Sequence, residues 1–156
     1  MKRSITLAFG ISLAAAPLVA CESKGKNEAE FCSVVAKVAT AQQAVVTVLN
    51  SGDVPVPAEV KAALTEFRSA LDEMADAAPE AIADDMLFVV NGFTAFDLGL
   101  RKVDYDYDRL FTDPAAAEAA EADMAAMDTP ETQAAMDAVD EFSLTECGIA
   151  LDTSGA

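Results

Sequence analysis

From Asn27 onward the apolar residues of this chain recur three and four apart, the spacing of a single stripe along an α-helix. Phe31, Val34, Val38, Ala41, Val45 and Val48 make the first stripe. Asn27 can cap that helix, and Glu30 completes a capping-box-like pair. Positions 50–57, with one glycine and two prolines, end it as a loop. The second stripe is Val60, Leu64, Phe67, Leu71, Met74 and Ala78. It starts with Pro57 in the first turn, where a missing N–H costs nothing, and breaks at Ala78-Pro79.

The third stripe is the longest: Ile82, Met86, Val89, Phe93, Phe96, Leu100, Val103, Tyr107 and Leu110. It predicts one continuous helix from Pro79, with Asp84 and Asp85 near its positive end. Gly92 and Gly99 weaken that helix and could admit a partner backbone at close range. Asp113-Pro114 reads as a cap and a first-turn proline, opening an alanine-rich helix to about Met127. Thr129-Pro130 restarts or kinks it. The last piece carries Ala135, Val139 and Phe142, with Gly148 suited to a left-handed cap and Ile149 to the apolar contact that accompanies one. The domain therefore spans 28–149, and 150–156 reads as a flexible tail. No strand-like alternation competes, so the fold class is all-α.

The first twenty residues differ from the rest. Lys2 and Arg3 precede the apolar run 5–16 and small residues follow it, the pattern of an export signal. The run is shorter than the roughly 20 residues of a membrane span. The whole chain carries 10 basic and 27 acidic residues, net -17. Loss of Lys2 and Arg3 with the leader leaves 8 bases against 27 acids, net -19. Such a chain repels nucleic acid, which excludes that class of partner.

Leu18-Val19-Ala20-Cys21 closes the leader and resembles the lipobox of bacterial lipoproteins. The resemblance implies that 1–20 is removed and that Cys21 receives a thioether-linked diacylglycerol, whose two acyl chains, such as palmitate, make a stable anchor. The partner would then be the membrane, and the location the extracytoplasmic face. The competing reading is an ordinary signal cut after Ala14-Ala15-Ala16. Residues 21–27 then form a short polar tether, six residues of which reach about 20 Å. With Cys21 lipidated, an exported chain of three cysteines leaves Cys32 and Cys147 to pair. Two free thiols, or a Cys21–Cys32 bridge without lipid, are the alternatives. Phe31-Cys32 opening the first helix and Cys147-Gly148 closing the last resemble small secreted helical lipoproteins of high-GC bacteria, a likeness that carries no activity.

A bridge from the start of the first helix to the end of the last requires an even number of passes. Counting 113–147 as one broken pass gives an antiparallel up-and-down four-helix bundle, broken near Thr129-Pro130 and stapled by the disulfide. If the third helix stays straight, it overhangs the shorter helices by about 15 Å. Asp104, Tyr105, Asp106 and Tyr107 would then form an acidic, aromatic tip for a protein partner in the cell envelope. The alternative folds Tyr107, Leu110 and Phe111 back onto the core.

Chemistry is narrowed by absence. With no histidine there is no histidine-based triad, no Glu-x-x-His di-metal pattern and no usual zinc site. No Gly-rich phosphate loop occurs. Asp104 opens a calcium-loop-like run, but Arg109 and Ala115 stand where Gly and Glu are required. No catalytic residue, metal or cofactor is expected. Three readings of function follow in order: an interaction or scaffold module; a binder of a small apolar ligand, with Met74, Met86, Phe93 and Phe96 lining a cavity; and, last, an enzyme using carboxylates.

Overall fold

The computed structural model describes residues 22–52 and 54–151, with side chains from Glu28 onward. The leader, Cys21 and residues 152–156 lie outside the described residues, so the lipidation site and most of the predicted tail do too. Six α-helices and one 3-10 turn make up the described chain, and no strand occurs within it. They are α1 (Glu22–Leu49), α2 (Pro57–Ala77), α3 (Ala83–Lys102), α4 (Arg109–Thr112), α5 (Pro114–Met124), the 3-10 turn Ala125–Met127, and α6 (Pro130–Cys147).

The punctuation read from the sequence largely holds. Pro57, Pro114 and Pro130 each open a helix, whereas the helix expected from Pro79 begins only at Ala83, after a turn at 80–82. Asp113 Oδ1 accepts from the backbone N–H groups of Ala115 and Ala116 at 3.1 and 3.2 Å. Thr129 Oγ1 accepts from the Thr132 N–H at 3.2 Å. Gly148 adopts the left-handed conformation at φ 67°, its N–H bonds the Leu144 carbonyl, and Ile149 packs against the core. At the other end, α1 begins at Glu22 rather than Asn27, so the backbone of the predicted tether is helical. Nothing in 22–27 forbids this: no proline interrupts, and extending an existing helix is far easier than nucleating one.

The long third helix is where the expectation fails. α3 stops at Lys102, and the chain turns through Asp104 and Tyr105, at φ 56° and 59°. Two successive non-glycine residues in the left-handed region cost of order 1 kcal/mol each. Tyr105 is nevertheless held there, because the turn carries its ring into the core, where it is 8% exposed. The overhang is therefore absent, and at 20 residues α3 matches the 21 of α2.

Two apolar clusters hold these elements. One gathers Phe31, Val35 and Val38 of α1, Met74 of α2, Met86 of α3 and Val139 of α6. The other gathers Val60 and Leu64 of α2 with Leu100, Val103, Tyr105, Ala116 and Ala120. Residues 28–49 of α1 have the length and hydropathy, 1.4, of a segment able to cross a membrane. A signal sequence, a membrane anchor and a core helix all share that property. Here the stripe starting at Phe31 packs against α2.

Cys32 and Cys147 form a disulfide with Cα atoms 5.2 Å apart. Phe31 sits beside it, edge-on to Phe142 at 5.7 Å. The glycines of α3 set how closely the C-terminal helices approach. A Cβ on Gly92 would lie 2.9 Å from Thr132 Cγ2. One on Gly99 would overlap Met124 Cγ and stand 3.1 Å from the Ala120 carbonyl oxygen.

Two outcomes are expected in thermal or denaturant unfolding. Replacing both Cys32 and Cys147 by Ser should lower stability by about 2–5 kcal/mol, since the bridge closes a loop of 115 residues in the unfolded chain. Gly99→Ala should destabilise by about 1–3 kcal/mol, because the backbone contact at Ala120 outweighs the roughly 1 kcal/mol gain in helix propensity.

Candidate functional site

Helices α5 and α6 both pack on α3, but only α6 also reaches α1. The C-terminal half of α1 therefore lacks a neighbour on one side. Val45, Val46 and Leu49 remain half-buried there, facing the break between α5 and α6. The result is a cleft of about 330 Å³ where the two apolar clusters meet. Its volume falls within the roughly 300–1,000 Å³ of small-molecule sites.

Each wall follows from a stripe already described. α2 contributes Leu64, Phe67, Leu71 and Met74, and α3 contributes Val89, Phe93 and Phe96. Phe67 and Phe93 meet edge-on at 4.9 Å, which fixes both rings. Met124 and Met127 form the far wall, at the chain seated against Gly92 and Gly99. Thioether side chains adapt to irregular occupants. Of the residues expected to line such a cavity, Met74, Phe93 and Phe96 do so. Met86 does not line it, although it shares the first cluster with Met74.

The polar lining is sparse. Gln133 Nε2 donates to the Met127 carbonyl at 3.1 Å, and Asp140 Oδ1 accepts from the Leu151 N–H at 2.5 Å. Asp128 is exposed at the rim, and Tyr107 is half-buried. Among the described lining residues there is no lysine or arginine. Leu151, placed in the tail by sequence reasoning, is buried and lines the cleft. Gly148 makes this possible by reversing the chain.

The four residues expected at a partner-binding tip are dispersed by the turn. Asp104 is exposed, 3.7 Å from Arg109. Asp106 is half-buried, and Tyr107 meets Phe111 edge-on at 5.5 Å while lining the cleft. Tyr105 points inward, and its hydroxyl donates to Asp97 Oδ1 at 2.9 Å. Arg101 Nε donates to that hydroxyl at 3.1 Å. Asp97 Oδ2 is balanced by the Arg101 guanidinium at 2.6 Å and by Arg68 of α2 at 3.6 Å. Nothing in the helical spacing singled out Asp97, an acid on an apolar face; Arg101 four residues later was the available signal.

This network is structural. Burial, then the bond to Asp97, pushes the Tyr105 hydroxyl above its usual 10.0. The hydrogen bond to Tyr105 and the charge of Asp97 raise Arg101. At the cap of α5, the Ala116 N–H holds Asp113 below the ordinary carboxylate value. No group of three or more metal-ligating side chains occurs among the described residues.

A raised tyrosine gives stability that is fully present below pH 10 and lost as pH rises through the folded value. The wild type should therefore lose stability more steeply above pH 10 than Tyr105→Phe. With Tyr107→Phe, Tyr105 is the only tyrosine and the chain has no tryptophan, so phenolate absorbance should titrate with a midpoint above 10. No protein-family model, curated protein or solved structure matches this chain.

Proposed function

We propose that this protein is an exported lipoprotein that binds a small apolar ligand in the cleft between α1, α2, α3 and the broken C-terminal segment. The leader and the lipobox-like Leu18-Val19-Ala20-Cys21 support export and anchoring through Cys21. The helix order and the Cys32–Cys147 bridge support a four-pass antiparallel bundle, with α5, the 3-10 turn and α6 as one broken pass. In this reading the protein is not an enzyme, and its partners are the membrane and the ligand.

The observation that carries the ligand reading is the cleft itself. It is apolar, walled by α1, α2, α3 and the segments α5 to α6, and served by few polar groups, as binding sites are. An interior cavity that is not filled costs stability. At about 330 Å³ it is roughly twice the 150 Å³ cavity that accepts benzene, and being open at its rim it suits a ligand of roughly 10–20 heavy atoms.

A second reading, an envelope interaction module, draws on Phe111, which is 75% exposed beside the acids Asp104, Asp106 and Asp108.

The test is titration with N-phenyl-1-naphthylamine, a neutral dye that fluoresces in apolar surroundings. Saturable binding with Kd of order 10 μM is expected, from about 0.4 kcal/mol per heavy atom. Val46→Phe, on a half-buried wall position, should weaken binding at least tenfold while leaving the melting transition in place. Unsaturable binding, or an unchanged Kd in that variant, would overturn the reading.

A further inference from the structure

Resting on the ligand reading above, we infer that the cleft selects a cationic amphiphile: an apolar chain or ring carrying an ammonium group. The argument is charge complementarity at a site whose lining is of one sign. Asp128 and Asp140 are the ionisable carboxylates in the wall, and no described lining residue carries positive charge. Asp140 spends Oδ1 on the Leu151 N–H, and a carboxylate has a second oxygen. Asp128 is exposed where the cleft meets solvent, the place for a charged head whose tail lies inside.

The aromatic lining acts in the same direction. Phe96 and Tyr107 both border the cleft, and ring faces attract ammonium groups, above all alkylated ones. A carboxylate or phosphate head would meet the opposite conditions. It would lose hydration beside a like charge, Asp128 at the rim, with no guanidinium or ammonium in the lining to compensate it. Without the leader the chain carries 8 bases against 27 acids, net -19, and adds a long-range field of the same sign, drawing cations in and turning anions away. Fatty acids and anionic phospholipids are thereby disfavoured.

Three probes sharing a ten-carbon chain separate this inference from the reading beneath it. The full chain is titrated calorimetrically at neutral pH and low salt with decyltrimethylammonium, decanol and decanoate, each kept below its micelle or solubility limit. The expected order is ammonium over alcohol by about three- to tenfold, with decanoate weakest, and a preference that shrinks as salt is added. Asp128→Asn, at an exposed position, should cut the ammonium-to-alcohol ratio at least twofold, and Asp140→Asn should cut it further. Equal binding of all three probes would leave the cleft reading standing and overturn charge selection. Tighter binding of decanoate, or an ammonium preference unmoved by either substitution, would overturn it as well. Binding of none of them would remove both.

Discussion

Close contact between α3 and the chain after it governs the shape of this molecule. Gly92 and Gly99 have no side chain at the points where Thr132, Met124 and the Ala120 carbonyl come in. The C-terminal segment is therefore drawn onto α3 along its whole length, as α5, the 3-10 turn and α6 in succession. What α3 gains, α1 loses. The second half of α1 keeps an apolar stripe with α2 on one side and no α5 on the other, and the cleft is the space left between them.

Much of the fold was legible because helix ends are written in a small alphabet. Proline at first-turn positions, Asp113 and Thr129 as caps and Gly148 as the final reversal each act through one or two backbone groups, so local sequence suffices. The turn at 103–108 was missed for a physical reason. Counting apolar steps of three and four registers Val103, Tyr107 and Leu110 as a continuing stripe. It gives no weight to Asp104, Asp106 and Asp108, residues that favour turns over helix interiors. The decisive fact is tertiary: the Tyr105 hydroxyl finds Asp97 only if the chain bends. Leu151 was missed similarly, since its burial depends on an acceptor eleven residues back, Asp140.

Charge is organised unevenly. Asp97 shows how an acid enters a helical core: two guanidiniums and a phenol converge on it from α2, α3 and the turn. The desolvation of such a group offsets much of the attraction it gains, so it adds little net stability. The cleft has no comparable cluster of bases. Elsewhere Lys102 joins α3 to Asp123 of α5 at 2.7 Å, and Lys37 joins α1 to Glu73 of α2 at 2.8 Å. These pairs are exposed and contribute little energy individually, but they place the scarce bases between helices.

The disulfide has a topological consequence as well. Because it ties Cys32 to Cys147, every helix from α2 to α6 lies on a closed covalent ring of polypeptide. A protease that cuts between α1 and α2, at the exposed Ser51-Gly52, makes two fragments that cannot diffuse apart until the bridge is reduced. In an oxidising compartment rich in proteases, a single cut therefore leaves one molecule of unchanged mass, apart from the water added at the cut. The helices remain at high effective concentration and can pack again without finding each other anew.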